Sequence, residues 1–177
     1  MLLLYMSINM SGGSTPNPFI ENADVTSMDS VGYKFEDGDG PQQFQELSLP
    51  ISTRTNEAFV IYEIDAQNYV GSGKDGKIET TFSTVEDEAF GEGTAIDQDG
   101  CFFEREMYFS RSSGQEQGFV FEGDGYRGTV IPYGSIYAYT EFDTDGSNTN
   151  GALGRLWGTS VEVTDGEMTN LLRQWPR

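Results

Sequence analysis

Apolar and polar residues alternate along most of the chain from Val31 onward, in short segments that Gly and Asp residues separate. Val31, Tyr33 and Phe35 alternate with Gly and Lys, and this period of two residues predicts a first β-strand. Residues 57–64 (EAFVIYEI) are apolar on both faces, which is typical of a central strand. With the segments QFQELSLP, KIETTFSTV, CFFEREMYFS, GFVFE, TVIPY, SIYAYTEF and LWGTSVEV, the pattern predicts eight or nine short strands.

Asp-Gly pairs lie between the predicted strands. The pattern Asp-x-Asp-Gly occurs at residues 37–40, 97–100 and 143–146, and further Asp-Gly pairs occur at 75–76 and 124–125. Glycine adopts positive φ without strain, and an Asp side chain accepts hydrogen bonds from the nearby backbone. We therefore interpret these pairs as turns between strands.

One of these turns also resembles part of a calcium loop. Residues 140–151 (TEFDTDGSNTNG), read from Glu141 through Asp143 and Asp145, match the opening half of an oxygen-rich cation site. Such a loop needs a bidentate Glu at its twelfth position, where this chain has Ala152. The segment is predicted to be a turn first, and cation binding by Glu141, Asp143 and Asp145 is left open.

A helical period occurs near the C-terminus. Apolar residues fall at i, i+3, i+4 and i+7, namely Met168, Leu171, Leu172 and Trp175. Thr164 and Glu167 before them have the spacing of a capping box, and Pro176 stops the segment. We predict a short helix within residues 166–177 that packs its apolar face on the strands, with a last strand as the alternative.

The first residues, MLLLYMSINMSGGSTPNPF, differ in pattern from the rest. Their apolar run lacks a preceding basic residue and is shorter than the ~7–15 residues of a signal peptide or the ~20 of a membrane span. We expect residues 1–24 to be a flexible arm and residues 25–165 to be the strand domain. Asn9 begins a formal glycosylation sequon, a triplet that is frequent by chance.

Many strands, no long helix and a single domain predict an all-β fold. The edges of a sheet must be closed or covered, and a single jelly-roll barrel or sandwich achieves this with eight strands. An immunoglobulin-like sandwich is the alternative, although the paired cysteines that often mark it are absent. We expect the eight-stranded jelly roll.

The charge of the chain excludes some partners. Lys plus Arg number 10 and Asp plus Glu number 29, so the net charge is −19. An acidic surface of this size repels phosphates, which argues against direct binding of nucleic acid or anionic lipid. The composition, with few lysines, fits a protein that works in concentrated salt; an acidic mesophilic protein is the alternative.

Several common catalytic parts are missing. The chain has no histidine, which removes the usual general base, the usual zinc ligand and every triad that contains His. Its single cysteine, Cys101, excludes an intrachain disulfide. We expect a free buried thiol on a strand, with pairing between subunits left open.

Glycoside hydrolysis needs only two carboxylates, so this enzyme hypothesis is compatible with the absence of histidine. Glu104 and Glu106 lie on one face of a predicted strand, about 6.5–7 Å apart from strand rise, within the inverting range of ~6.5–9.5 Å. With 29 acidic residues, such spacings arise by chance. The simpler interpretation is a solvated strand face with Arg105 turned inward or paired.

Carbohydrate binding by stacked aromatic rings is a second hypothesis. Its candidate residues are Tyr133, Tyr137, Tyr139 and Trp157. In a chain with 9 Tyr and 12 Phe, however, most aromatic rings serve the core and the subunit interfaces.

A third hypothesis follows from a resemblance. The stretch LSLPISTRTNEAFVIYEIDAQNYVGSG and the strand-rich chain after it resemble the small major capsid proteins of haloarchaeal viruses with an internal membrane, the sphaerolipovirus group. The resemblance lies in size, acidity and strand order over about residues 25–165. It implies a single jelly roll that stands upright in an icosahedral shell and lacks catalytic activity.

The resemblance also implies partners and a location. Such a subunit associates with copies of itself and with a larger jelly-roll capsid protein in pseudo-hexameric capsomers, and minor vertex or membrane-associated virion proteins are further candidates. It resides in the virion after assembly in the host cytoplasm. We expect no catalytic, cofactor-binding or metal-binding residues and no cofactor.

The N-terminal arm and the segment NLLRQWPR are candidate contacts between subunits.

Overall fold

Nine strands and one helix are present in the part of the chain that the structure, a computed structural model, describes. The described residues are 29–36, 38, 41–52, 56–69, 75–86, 100–109, 117–121, 129–144 and 150–175. In chain order, the elements are β1 (Asp29–Glu36), β2 (Gln42–Ser48), β3 (Glu57–Tyr69), β4 (Gly76–Ser83), β5 (Cys101–Phe109), β6 (Gln117–Phe121), β7 (Thr129–Ile131), β8 (Ser135–Thr144), β9 (Gly151–Glu162) and α1 (Asp165–Gln174). The predicted arm at 1–24 lies outside these residues.

The strands form two antiparallel sheets. The four-stranded sheet has the order β1-β9-β3-β7, and the five-stranded sheet has the order β2-β8-β4-β5-β6. The all-β prediction is confirmed at this level. The described residues contain nine strands, within the eight or nine that the pattern predicted. This is one more than the expected eight-stranded fold, because β6 lies as an edge strand beside β5.

Alternation along the strands places one face of each sheet in a shared core. Tyr33 and Phe35 on β1 and Phe82 on β4 are buried, as the period of two residues predicted. The Phe82 ring lies edge-on to Tyr33, with 5.1 Å between ring centroids, and 5.3 Å from the Phe103 ring. This aromatic contact joins the two sheets across the core.

A turn at Gly100 confirms one of the predicted roles of glycine. Gly100 has a φ of +87°, and its carbonyl accepts a hydrogen bond from the Thr84 amide at 3.0 Å. A Cβ at this position would lie 2.7 Å from Val85 Cγ2, so both space and backbone conformation require glycine. Residues 97–99 of this Asp-x-Asp-Gly segment lie outside the described residues, as do parts of the segments at 37–40 and 143–146.

The C-terminal helix is present, and the alternative of a last strand is wrong. The Glu167 amide donates to the Thr164 hydroxyl and the Thr164 amide donates to the Glu167 carboxylate, which completes the predicted capping box. Leu171 is buried at 6 % exposure, against residues of β3 and β7 on the outer face of the four-stranded sheet. Leu172 is 48 % exposed, so its predicted place on the packed face is wrong.

The end of the helix reaches the main core. Trp175 packs against that core, edge-on to Phe102 with 6.0 Å between ring centroids. The Tyr133 hydroxyl donates a hydrogen bond to the Trp175 carbonyl. Within the described residues, no helix has the length and apolar character needed to cross a membrane.

Candidate functional site

Three carboxylates converge on the outer face of the five-stranded sheet. Glu79 on β4 lies opposite Glu106 on β5, and Thr81 on β4 lies opposite Glu104 on β5. Since side chains two residues apart share a face of a strand, all four project away from the core residue Ile78. We call Glu79, Glu104 and Glu106 the carboxylate cluster.

The cluster is tight and shielded from solvent. One oxygen from each carboxylate lies within 4.8 Å of the others. Glu79 has 0 % exposure and Glu104 has 1 %, whereas Glu106 is half-buried. Charged groups that lose their hydration in this way need opposite charge close by, and three carboxylate oxygens in this arrangement are able to hold a metal ion.

Lys77 supplies one positive charge at the edge of the cluster. Its Nζ lies 2.6 Å from Glu79 Oε2 and 3.5 Å from Glu106 Oε1. Burial lowers the pKa of Lys77, but the hydrogen bond and charge of Glu79, together with the charge of Glu106, outweigh burial and raise the pKa overall. The Tyr108 hydroxyl donates to Glu106 Oε2 at 2.9 Å.

Glu79 is the carboxylate with the least solvation. Burial raises its pKa above the usual value, and the hydrogen bond and charge of Lys77 offset only part of that effect. The charges of Glu106 and Glu141 raise the pKa further. Glu79 Oε1 is buried and has no hydrogen-bond partner among the described residues.

The predicted solvated face around Glu104 and Glu106 is wrong, because Glu104 is buried. The prediction that Arg105 turns inward is confirmed, since Arg105 lies opposite Thr80 on the core side of the sheet. The separation predicted from strand rise was also too long: the cluster oxygens lie within 4.8 Å, below the ~6.5–9.5 Å of an inverting pair. The strand rise gives the spacing of the backbone, whereas the carboxylate oxygens at the ends of the side chains lie closer together.

Sequence reasoning missed Glu79 as a member of the cluster. Its position beside Glu106 depends on the pairing of β4 with β5, which are separated by a long connection in the sequence. A search for acidic residues on the outward face of neighbouring strands would have found it only with the register known.

The calcium-like segment does not begin as a loop. Glu141 and Asp143 lie on β8, opposite Glu79 and Lys77 of β4, and strand geometry continues to Thr144. Asp145 lies outside the described residues. Cation binding by this segment therefore stays an open prediction, with its first two acids on a strand.

Cys101 is a free thiol at the start of β5 and is half-buried. Burial raises the pKa of this thiol to about 12, and the Cys101 Sγ donates a hydrogen bond to the Phe103 carbonyl. The expected position on a strand is confirmed, but the thiol is half-buried where a buried one was expected.

The four aromatic residues of the carbohydrate hypothesis do not form one platform. Tyr137 and Tyr139 lie on β8 in the five-stranded sheet, whereas Trp157 lies on β9 in the other sheet. Tyr133 is buried in the core between β7 and β8. Tyr137 is also buried, and its ring stacks on Phe44 with 5.4 Å between centroids.

Comparisons of the chain with protein-family models, with curated proteins and with solved structures found no match.

Proposed function

We propose that this chain is a structural shell protein, a small major capsid protein that folds as a single jelly roll. In this proposal it forms pseudo-hexameric capsomers with copies of itself and with a larger jelly-roll protein. These capsomers build an icosahedral shell around an internal membrane, and the chain resides in the virion. The observation that carries the proposal is the nested order of strand pairs.

The strand pairs are nested from the outside of the sequence to its middle. The first strand pairs with the last, β1 with β9, and the following pairs are β2 with β8, β3 with β7 and β4 with β5. A long antiparallel hairpin gives this order when it wraps around itself into two sheets of four strands, which is the jelly-roll arrangement of many capsid domains. In this assignment, β6 is an addition at the edge of the sheet.

The same pairing disfavours the immunoglobulin-like alternative. In that fold the first strand pairs with the second strand of the chain. Here β1 pairs with β9, and β2 belongs to the other sheet. The nested pairing therefore supports the jelly roll over the immunoglobulin-like sandwich.

The surface offers a candidate contact between subunits. β2 is an edge strand of the five-stranded sheet, and Phe44 on it is 43 % exposed. An edge strand presents unpaired backbone groups, and an exposed aromatic ring next to them favours burial against a neighbour. We assign this edge to contacts within the shell.

Two observations support a structural role over the enzyme and carbohydrate alternatives. The carboxylate cluster is shielded by burial of Glu79 and Glu104, so a sugar substrate has no access to it in this conformation. The aromatic candidates for sugar stacking are divided between two sheets and the core. The acidic surface, with a net charge of −19, agrees with an absence of direct nucleic-acid binding.

The proposal is tested on native material purified in concentrated salt. Electron microscopy should reveal particles, and mass spectrometry of those particles should identify this chain together with a larger partner. Monomers without particles or partner would refute the shell assignment, and carbohydrate binding would then be the favoured function.

A further inference from the structure

We propose that Glu79, Glu104 and Glu106, together with the Thr81 hydroxyl, form a binding site for one Ca²⁺ ion on the outer face of the five-stranded sheet. The site lies within a single chain, so it holds whether or not the chain builds a shell. It revises the expectation of no metal-binding residues, and it is distinct from the cation binding left open at Glu141, Asp143 and Asp145.

Thr81 is an observation independent of the carboxylates. Its side chain is 1 % exposed, and its Oγ1 is buried with no hydrogen-bond partner among the described residues. Register places Thr81 opposite Glu104 and two residues after Glu79, so its side chain projects from the same face as the cluster. A buried hydroxyl without a partner is costly, and a bound cation would give this oxygen a partner.

The charge of the site favours a divalent ion. Lys77 contacts two of the three carboxylates, Glu79 and Glu106. Lys77 engages Oε2 of Glu79, while Oε1 of the same carboxylate is buried and has no hydrogen-bond partner among the described residues. A divalent cation in place of the Lys77 ammonium would bring twice its charge to the cluster and would also bind Oε1 of Glu79.

The size of the site is compatible with Ca²⁺ coordination. Two ligands of one ion lie no farther apart than twice the metal–oxygen distance, which is about 4.6–5.2 Å for Ca²⁺ and about 4.0–4.2 Å for Mg²⁺. The cluster oxygens lie within 4.8 Å of one another, a spread that Ca²⁺ accommodates as the side chains stand. A ligand set made only of carboxylate and hydroxyl oxygens also favours a hard cation over zinc or copper.

Lys77 competes with the cation in this proposal. Its side chain retains 24 % exposure, so the ammonium has a route to solvent when Ca²⁺ takes its place between Glu79 and Glu106. Removal of the ammonium should therefore tighten Ca²⁺ binding. If Lys77 were instead the permanent counter-ion of the cluster, its removal would destabilise the fold and Ca²⁺ would not rescue it.

The test uses the full chain, freed of metal by chelation, in about 2 M KCl, where loose binding of Ca²⁺ to the acidic surface is screened. Isothermal titration calorimetry measures Ca²⁺ binding, and Tb³⁺ luminescence sensitised by Tyr108 locates the ion. Glu104→Gln and Thr81→Val each remove one ligand. Glu46→Gln is the matched control, since Glu46 is an exposed carboxylate on β2 of the same sheet.

We expect one saturable site per chain with a dissociation constant on the order of 10⁻⁴–10⁻³ M. Glu104→Gln and Thr81→Val should weaken binding about tenfold or more, while Glu46→Gln leaves it unchanged and Lys77→Met strengthens it. No saturable binding by the unsubstituted chain, or equal binding in Thr81→Val and Glu46→Gln, would overturn the site. Thr81→Val preserves side-chain volume, so it decides the question even if Glu104→Gln does not fold.

Discussion

The solvation of individual side chains in this protein follows from their position in the fold more than from their residue type. Glu79 and Glu104 are acidic residues, which usually lie on a solvated strand face, yet both are shielded from water. Thr81, opposite Glu104 and two residues after Glu79, is buried on the same face. At this scale, the surroundings that each side chain acquires on folding determine its chemistry.

Cys101 provides a prediction at the scale of one residue. Because burial raises the pKa of its thiol to about 12, the thiol stays protonated at pH 8 and only a small fraction is the reactive thiolate. Alkylation of the folded chain at pH 8 should be on the order of 1,000-fold slower than that of an ordinary thiol with a pKa near 8.5.

The measurement is the rate of iodoacetamide labelling, followed by mass spectrometry, with the chain unfolded in guanidinium as the control. Rapid labelling of the folded chain at pH 8 would contradict the assigned burial. A disulfide-linked dimer in native material would instead show that Cys101 pairs between subunits.

At the scale of elements, α1 shows how a local signal and a tertiary contact combine. The capping box formed by Thr164 and Glu167 starts the helix where the sequence predicted it. The face that packs, however, follows from the position of the helix on the outer face of β3 and β7. Leu171 lies on that face and Leu172 does not.

Two neighbouring leucines therefore make a matched pair of tests. Leu171→Ala should lower the free energy of unfolding by about 2–5 kcal/mol, because it leaves a cavity between the helix and the sheet. Leu172→Ala makes the same chemical change at a position that is 48 % exposed and should change the free energy by less than about 0.5 kcal/mol. Urea unfolding in concentrated salt measures both values, and equal losses would show that α1 does not pack as described.

At the scale of the whole molecule, net charge opposes the association that the shell proposal requires. Each copy carries a net charge of −19, and any shell brings many copies side by side. Repulsion between them extends over a Debye length of ~30 Å at 0.01 M salt but only ~3 Å at 1 M. Apolar contacts such as the edge around Phe44 can then determine whether subunits associate.

Particles should consequently be stable in molar salt and should dissociate on dilution. Light scattering across a series from about 3 M to about 0.01 M salt measures the loss of particles, with the dilution repeated in sucrose as a control for osmotic effects. Particles that persist at the lowest salt without divalent cations would contradict this electrostatic account. A chain that stays monomeric at every salt concentration would argue for a binding module instead.

The sequence by itself determined the class of fold and most of its elements. Alternation along β1 and β4, the turn at Gly100 and the capping box before α1 are local signals, and each concerns residues close together in the chain. The exclusion of histidine chemistry also needed only composition. Such features can be predicted without knowing which strands become neighbours.

Only the tertiary structure decided which strands pair and what lies between them. The pairing of β1 with β9 joins the two ends of the strand domain, and the pairing of β4 with β5 brings Glu79 beside Glu106. Alternation along each strand determines which face the carboxylates take, but a shift of two residues in that register would separate Glu79 from Glu106 on the same face, and no local pattern decides between the two registers. The carboxylate cluster and its burial therefore arise from contacts between segments that are distant in the sequence, because side-chain solvation depends on the whole folded chain.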